Sequence, residues 1–137
     1  ALIKSLIKES EDEILFWIIE EKETKNIVGY IKLPTGGIKD KKRELAFYFL
    51  NGYREDGTPE EVLKAVIDYI FSKEKYETTK FYDRNEKNTK LTHSILTNVG
   101  MVREGILRNR LINDEGKKIN KHVYSILKEE WKATRKQ

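Results

Sequence analysis

The chain contains no cysteine, which removes several kinds of chemistry. No disulfide can form, no thiolate can act as a nucleophile, and no zinc site with sulfur ligands can be built. Histidine is also scarce, because His93 and His122 are the only two and stand too far apart in the sequence to indicate a metal cluster. We therefore expect a protein without a bound metal, and the missing cysteines are compatible with a reducing, cytoplasmic location.

Long apolar segments are missing as well. The longest apolar run, "ILFWII" at 14–19, is too short to span a bilayer, and no secretory signal pattern opens the chain. With 137 residues the chain is long enough for one domain with a sizeable core, and its 36% charged residues indicate an extensive polar surface. The sequence therefore predicts a single domain without a membrane partner.

Charge of one sign is not in large excess. The 27 lysines and arginines stand against 23 acidic residues, and the two signs are interspersed except near the C-terminus, in "KEEWKATRKQ". Most of these side chains are expected to form a solvated surface. Nucleic-acid recognition would need a clustered basic stripe with interleaved aromatics, and the sequence shows none. We predict no direct binding to nucleic acid, whereas the net charge of +4 suits weak attraction to an anionic cofactor.

Hydrophobic periodicity predicts an alternation of helices and strands. Helical spacing marks 1–8, 58–73, 91–99 and a short tail. Alternating or β-rich spacing marks 13–21, 26–33, 43–50, 78–82, 102–112 and 119–128. Antiparallel neighbours followed by a strand–helix–strand crossover indicate an α/β (α+β) domain, with a mixed, mostly antiparallel sheet and helices on both faces.

The segment "YREDGTPEEV" at 53–62 has two interpretations. Thr58 as N-cap, Pro59 at the first helical position and Glu61 three residues after Thr58 form the pattern of a capping box, which needs no function to explain it. A glycine between a strand and a helix N-terminus, here Gly57, also leaves free amides at the positive end of the helix dipole, an arrangement that binds pyrophosphate. The spacing of the residues does not choose between the two.

Two longer segments carry a family resemblance. The first, "ELAFYFLNGYREDGTPEEVLKAVIDYIF" at 44–71, is similar to the strand, acetyl-CoA loop and helix of the GNAT N-acetyltransferases. The second, "NVGMVREGILRNRLINDEGKKINKHVYSILKEEW" at 98–131, resembles their C-terminal block, with landmarks at Val99-Gly100-Met101, Arg103-Glu104-Gly105 and Tyr124-Ser125-Ile126-Leu127. The likeness extends from about residue 14 to 131 and is greatest for the branch that acetylates ribosomal-protein N-termini.

The resemblance implies one GNAT-like domain over 1–137, with a central pair of parallel strands, around 44–50 and 77–82, that part at one end. Relatives usually begin with a further strand and helix, which this chain is expected to lack. Arg54-x-x-Gly57-x-Pro59 takes the place of the loop that holds the acetyl-CoA pyrophosphate. The residues expected to contact acetyl-CoA are Phe49, Leu50, Arg54, Glu55, Asp56, Gly57, Thr58, Asn88 and Thr92.

The loop departs from the family pattern in two ways. Pro59 has no N–H, so one possible hydrogen-bond donor to the pyrophosphate is missing. Glu55 and Asp56 add negative charge close to an anion. We therefore expect acetyl-CoA to bind more weakly than in relatives that have small, uncharged residues in this loop.

Acetyl transfer from a thioester to an amine requires the amine to be neutral. Glu44, which opens the central strand, is the candidate base, and an ordinary surface glutamate is the competing interpretation. Tyr124 is the second candidate catalytic residue, at the border of the acceptor, with a half-buried strand tyrosine as its alternative. Backbone amides at the parting of the strands would polarise the thioester carbonyl. Because no cysteine can carry an acetyl group, the amine is expected to attack directly in a ternary complex.

The predicted function is acetyl-CoA-dependent transfer to a primary amine, with a protein N-terminal α-amine of the ribosomal-protein type as acceptor. Two alternatives stay open: a degenerate GNAT-fold binding module without catalysis, and a polyamine or small-molecule amine acetyltransferase. An acidic acceptor groove would indicate a polyamine, and a groove open at both ends would suit a peptide. The expected partners are acetyl-CoA and the amine acceptor, a homodimer is compatible with the family, and no metal is expected.

Overall fold

The computed structural model of the chain describes residues 2–8, 15–34, 41–73, 76–84 and 88–135. These residues form eight strands and three helices in the order β1 (Leu2–Lys8), β2 (Leu15–Glu20), β3 (Ile27–Leu33), β4 (Lys42–Glu44), β5 (Ala46–Phe49), α1 (Thr58–Phe71), β6 (Thr78–Asp83), α2 (Thr89–Asn98), β7 (Val102–Ile112), β8 (Lys118–Leu127) and α3 (Lys128–Arg135). From β2 onwards the order is the predicted one, except that the strand predicted at 43–50 is divided in two. No helix within these ranges is long and apolar enough to cross a membrane.

The strands form two four-stranded sheets. In the first, called here the N-terminal sheet, β1, β2, β3 and β5 lie side by side in that order, and every neighbouring pair is antiparallel. In the second, the C-terminal sheet, the order is β4, β6, β8 and β7, with β4 parallel to β6 and the other pairs antiparallel. This is the mixed, mostly antiparallel α/β architecture that the sequence predicts, distributed over two sheets instead of one.

The helix predicted for residues 1–8 is wrong. Leu2–Lys8 is a strand that pairs antiparallel with β2, with Leu2 opposite Glu20 and Ile3 opposite Ile19. The apolar residues of this segment fit a helical period, but a lone helix of this length is marginal in water. The open edge of β2 offers a row of backbone hydrogen bonds instead, and this tertiary pairing overrides the local spacing.

The chain passes from one sheet to the other at Leu45. Up to Glu44 it belongs to β4, which pairs parallel with β6, and the Leu45 N–H still donates to the carbonyl oxygen of Lys80 at 2.9 Å. From Ala46 onwards it belongs to β5, which pairs with β3, with Ile31 opposite Phe47. A parallel pairing with β6 is therefore confirmed over three residue pairs, of which one, Glu44 with Lys80, lies within the predicted strand 44–50. The rest of that strand, β5, parts from β6 and belongs to the other sheet.

One apolar core joins both sheets to the helices. Phe47 of β5 stacks on Phe81 of β6 with ring centroids 4.9 Å apart, so the core is continuous across the point where the strands part. Helix α1 meets the same face of the sheets through an edge contact of Tyr69 on Trp17, with a centroid distance of 5.0 Å. Helices were expected on both faces, whereas the three helices in the described ranges share this one face and a single core.

Two contacts fix the positions of β4 and β5. The buried guanidinium of Arg43 in β4 donates to the carbonyl oxygen of Leu33, at the end of β3, at 3.1 Å. Further along, Gly29 of β3 lies so close to β5 that a Cβ there would collide with the carbonyl oxygen of Tyr48 and approach the Cα of Phe49 to 3.0 Å. Only a residue without a side chain allows β3 and β5 to come this close.

Candidate functional site

A cleft opens where β5 and β6 part. Its volume is about 290 Å³, and its two walls are formed by residues 46–49 of β5 and residues 81–84 at the end of β6. Pro59, at the start of α1, closes one end. The helix side of the cleft is lined by Asn88, Leu91, Thr92 and Ile95. The parting of two strands has therefore left a partly apolar slot with open strand edges on both sides.

The cleft reaches the face of the sheets opposite the helices, called here the outer face. Side chains alternate along a strand, so the neighbours of the core residues Phe47 and Phe81 point outward. These neighbours are Tyr48 and Tyr82, and both line the cleft. The cleft is consequently accessible from the outer face as well as from the start of α1.

Backbone amides of β5 point into the cleft. The N–H of Leu45 donates to β6 at 2.9 Å, and the N–H of Leu50 donates to β3 at 2.8 Å. Because backbone polar groups alternate in direction along a strand, the N–H groups of Phe47 and Phe49 point toward β6. Beyond Leu45 β6 is no longer paired with this strand, so these two amides are directed at the cleft.

Arg54 places a positive charge at the cleft. Its Nε donates to the carbonyl oxygen of Phe49 at 2.6 Å, and its guanidinium carbon lies 5.4 Å from the ring centroid of Tyr48. The hydrogen bond and the cation–π contact both hold the Arg54 side chain against the C-terminal end of β5. The remaining N–H groups of the guanidinium are available to an anion that lies between β5 and α1.

The capping box predicted at Thr58 is wrong. Gly57 is the N-cap, with a φ of 88° that a glycine adopts without strain, and no side chain at the N-cap accepts a hydrogen bond. Thr58 is already helical, so its hydroxyl cannot act as a cap. Its N–H donates instead to Oδ1 of Asp56 at 3.0 Å. The first free amide of α1 is therefore held by a carboxylate of the loop.

The Asp56 carboxylate is stabilised in its ionised form by this arrangement. Slight burial acts to raise the pKa of Asp56, but the hydrogen bonds from the backbone N–H and the hydroxyl of Thr58 outweigh it and hold the pKa below its usual value. Pro59 follows, and it has no N–H to offer. The start of α1 thus carries its own anion at a place where a pyrophosphate would need donors.

The structure brings together four of the nine residues predicted to contact acetyl-CoA. The four that line the cleft are Phe49, Arg54, Asn88 and Thr92. Of the other five, Leu50, Glu55, Asp56 and Gly57 lie between β5 and α1, and Thr58 is the first residue of α1. Of these, Thr58 is buried and the rest are exposed. Their contact with acetyl-CoA stays a prediction.

Glu44 lies at the outer mouth of the cleft. It ends β4, opposite Lys80 in the parallel pair, at the last position before the strands part. Its Oε2 is 3.9 Å from a guanidinium nitrogen of Arg84, which lines the cleft. The side chain is 18% exposed, so it is neither buried nor fully solvated. The position is compatible with the predicted role as a base, and that role stays a prediction.

Tyr124 lies beneath the cleft. It is fully buried in β8, and its hydroxyl is 2.9 Å from Nδ1 of His93 on α2. Burial raises the pKa of the Tyr124 hydroxyl, an effect that nearby Arg103 opposes and Asp83 reinforces. This placement favours a role in packing α2 onto the sheet. The catalytic role of Tyr124 stays a prediction.

Sequence reasoning missed the residues at the end of β6. Tyr82, Asp83 and Arg84 all line the cleft, and Asp83 is 3% exposed although it is a carboxylic acid. The signal for them was the alternation in "KFYDR", which places Tyr82 and Arg84 together on one face and Asp83 on the other. In the described ranges no three His, Asp or Glu side chains gather as a metal site.

Comparison with known protein sequences finds similarity to an N-acetyltransferase. No family model matches the sequence. The chain is 29% identical over 115 residues to the uncharacterized N-acetyltransferase YoaA of Bacillus subtilis strain 168, an alignment that covers 82% of this chain and 62% of YoaA. The chain thus spans about three fifths of the length of this relative.

Solved structures with the same fold include the spermidine N-acetyltransferase SpeG of Vibrio cholerae. Its F149A mutant superposes with a TM-score of 0.78 at 17% identity, over 93% of this chain and 72% of that one. The fold is that of the GNAT N-acetyltransferases. SpeG in complex with CoA and spermine superposes with a TM-score of 0.76, and a "putative ribosomal-protein-serine acetyltransferase" of Vibrio cholerae with 0.71 at 19% identity, over 84% of this chain and 64% of that one.

Proposed function

We propose that this chain is an acetyl-CoA-dependent N-acetyltransferase that acts on a primary amine. The observation that carries the proposal is the parting of β5 from β6 beside the start of α1, which opens a cleft of about 290 Å³ between the strands. The GNAT fold and the similarity to YoaA support it.

The residues of the cleft fit acetyl-CoA in two respects and resist it in one. The amides of Phe47 and Phe49 form an open strand edge that would pair with the amide groups of the pantetheine arm. Arg54 supplies a cation at the end where the pyrophosphate would lie. Against this, Asp56 already accepts the N–H of Thr58, so binding is expected to be weak.

The proposed reaction requires few groups of the protein. When bound, acetyl-CoA supplies an acetyl group activated as a thioester. A C–N bond forms between the acetyl carbon and the neutral amine, the C–S bond breaks with CoA leaving as the thiolate, and the amine nitrogen loses one proton. The amides of the cleft donate hydrogen bonds where negative charge develops on oxygen, and Glu44 is the proposed proton acceptor, directly or through one water.

The acceptor that we propose is a protein N-terminal α-amine of the ribosomal-protein type. The landmarks at 99–101, 103–105 and 124–127 support this choice, as does the fold shared with the Vibrio cholerae protein of that description. A polyamine is the second candidate, because the SpeG structures share the fold and one of them holds CoA and spermine. An α-amine has a pKa of about 8, so it needs less help to become neutral than a lysine side chain.

Calorimetric titration with acetyl-CoA, followed by a screen of amine acceptors, tests the proposal. Binding with one site per chain is expected, with transfer to amines detected by release of free CoA thiol. Titration with dephosphorylated pantetheine fragments would show how much of the affinity the strand edge supplies. If acetyl-CoA does not bind to the folded chain, the proposal is wrong and the chain is a GNAT-fold module without this activity.

A further inference from the structure

The outer mouth of the cleft is surrounded by cations. The ring of Tyr82 has three within reach of its centroid: Nζ of Lys121 at 4.1 Å, Nζ of Lys80 at 5.3 Å and the guanidinium carbon of Arg84 at 5.6 Å. At these distances the ring quadrupole attracts each of them. The ring thus gathers three like charges that would otherwise spread apart.

This basic cluster, defined by Lys80, Tyr82, Arg84 and Lys121, belongs to the outer face. Lys80, Tyr82 and Arg84 are alternate residues of one strand end and point to the same side. Tyr82 and Arg84 also line the cleft. The opposite side of the cleft is filled by the core and by α2, so an acceptor must approach along the face that carries the basic cluster.

Two carboxylates lie near the point where the strands part. Glu44 stands at the last pair of β4 and β6, 3.9 Å from Arg84, and Asp83 lines the cleft from the core side. From the core side of the cleft outward, an acceptor therefore meets Asp83 first and the basic cluster, with Glu44 beside Arg84, next. This order matches a molecule in which a protonated amine is followed by an acid.

We infer that the acceptor carries a carboxylate close to its reacting amine, and that the basic cluster selects it. The inference rests on the proposed acetyl transfer and names its substrate class. An N-terminal α-amine followed by acidic residues has this charge order. A polyamine does not have this charge order, because its reacting amine is followed by further cations, which Lys80, Arg84 and Lys121 would repel.

Three peptides that differ only at positions two and three test the inference in the unmodified protein. They begin Ser-Asp-Asp, Ser-Gly-Gly and Ser-Lys-Lys, and spermidine serves as a fourth acceptor. Surface charge pairs each change an equilibrium by about twofold to fivefold, so kcat/KM for the acidic peptide is expected to exceed that for the basic one by at least about tenfold. The ratio should shrink in about 1 M salt, where the screening length falls to about 3 Å.

Free serine and serinamide separate the two sources of a carboxylate. If the basic cluster recognises the α-carboxylate of a free amino acid, serine will be a better acceptor than serinamide and than the acidic peptide. If it recognises acidic side chains of a peptide, the acidic peptide will be the best acceptor. Either result supports the inference and fixes the source.

Substitution of Lys121 links the preference to the basic cluster. Lys121→Glu reverses one charge 4.1 Å from the Tyr82 ring, and the acidic-to-basic preference is expected to fall by about tenfold. Lys121→Gln, which only removes the charge, should lower it by about threefold. Lys118→Glu is the matched control, because Lys118 is exposed at the start of the same strand, opposite Ile112 at the far end of β7.

The outcomes separate the two proposals. A preference of the unmodified protein for spermidine or for the basic peptide overturns the inference while it demonstrates acetyl transfer. A preference for the acidic peptide that Lys121→Glu leaves unchanged, with the variant folded by circular dichroism, also overturns the role of the basic cluster. No acetyl-CoA binding and no transfer to any acceptor would instead overturn the proposed function, and the inference with it.

Discussion

Asp56 has the clearest effect of any single side chain on the candidate site. Its carboxylate accepts the N–H of Thr58, the first helical residue of α1, at 3.0 Å. A bound pyrophosphate would seek the same amide and would meet the same negative charge. The residue therefore stabilises the start of the helix and opposes the anionic end of the proposed cosubstrate.

Replacing Asp56 by Asn separates these two effects. The amide oxygen of Asn can still accept the Thr58 N–H, since Asn is as good as Asp near a helix start, but the charge is removed. We expect acetyl-CoA to bind about threefold to tenfold more tightly, measured by calorimetry, with little change in the melting temperature. Glu115→Gln, exposed in the turn between β7 and β8, is the control for a non-specific charge effect.

Pro59→Ala tests the same loop through its backbone. The substitution restores an N–H at the start of α1, so acetyl-CoA should again bind more tightly, although the helix start loses a residue with a fixed φ. Unchanged affinity in both Asp56→Asn and Pro59→Ala, with the fold intact, would show that the loop only caps the helix.

Tyr124→Phe tests whether the buried tyrosine is catalytic or structural. The change removes the hydrogen bond to Nδ1 of His93, so the free energy of unfolding should fall by about 1 kcal/mol while transfer to amines continues. A loss of kcat of about a hundredfold with an unchanged KM would instead place Tyr124 in the catalytic machinery.

The same variant should show a pH signature. The folded state raises the pKa of Tyr124 above its ordinary value of 10.0, so its stabilising contribution is complete below pH 10 and is lost as pH rises through the folded pKa. The stability advantage of the unmodified protein over Tyr124→Phe should therefore shrink above pH 10. Denaturant unfolding at pH 9 and at pH 11, in matched salt, measures it.

Glu44→Gln tests the proposed proton acceptor. Below the pKa of the amine, about 8 for an α-amine, most of the acceptor is protonated and must lose a proton before it can attack. Turnover of the variant should therefore fall most at low pH, while the affinity for acetyl-CoA is nearly unchanged. A pH–rate profile that matches that of the unmodified protein would show that Glu44 is only a surface charge beside Arg84.

At the scale of strands and helices, the site depends on how closely β3 holds β5. Beyond Leu45 β5 has β3 as its neighbour and no longer pairs with β6, so the N–H groups of Phe47 and Phe49 are oriented by the β3 ladder. Gly29 makes that ladder possible at its tightest point, because any Cβ there would collide with the Tyr48 carbonyl. The pairing with β3, on the side of β5 that faces away from the cleft, thus fixes the geometry of the β5 wall.

Gly29→Ala should consequently damage both fold and site. Overpacking of this kind costs about 1–3 kcal/mol, because the backbone of β5 must shift to make room. We expect a lower melting temperature and weaker acetyl-CoA binding together. Gly105→Ala is the matched control: this glycine also lies in a strand, a Cβ added there would meet no atom within 4 Å, and the substitution should be nearly neutral.

The sequence predicted those elements whose patterns are long and local. The hairpin β2–β3, the helix at 58–71 and the strands flanking Gly116 follow from periodicity and turn chemistry, and the family resemblance added the parallel pair. Prediction from the sequence failed for residues 2–8, because pairing with the open edge of β2 decides their conformation. It also failed at Thr58, because a φ of 88° at Gly57 moves the helix start by one residue. The pairing with β2 is not local to residues 2–8, and the backbone angle of Gly57 is not specified by the residue types of the capping pattern.

The candidate site was predictable only in part, for a related reason. Phe49, Arg54, Asn88 and Thr92 were predicted because the resemblance supplies a loop and a helix with known spacing. The basic cluster was not, because it forms only when β6 and β8 pair and bring Lys121 over the ring of Tyr82. Cross-strand contacts of this kind depend on register, which a single sequence does not specify.

At the scale of the whole molecule, the helices and both sheets pack around one core beside the cleft. Trp131 of α3 donates its indole N–H to Oδ1 of Asp68 at 2.8 Å and packs on Phe71, so the C-terminal helix holds α1 in place. The start of α1 forms one end of the cleft through Pro59. Substitutions in α3, remote from the chemistry, are therefore expected to weaken acetyl-CoA binding.

A cleft with two mouths also determines the expected kinetics. One substrate can enter beside α1 and the other from the outer face, and no cysteine is present to hold an acetyl group between two half-reactions. Initial-rate plots against both substrates should give intersecting lines, as a ternary complex requires. Parallel lines, with an acetylated protein detected by mass spectrometry, would contradict direct attack.

The carboxylate at the start of α1 has a consequence for how the protein would respond to its cell. A site that holds its cosubstrate loosely is far from saturation, and its rate then rises in proportion to the cosubstrate concentration. With Asp56 in place, the rate of acetylation would follow the acetyl-CoA concentration, whereas the rate of the Asp56→Asn variant would level off at a lower concentration.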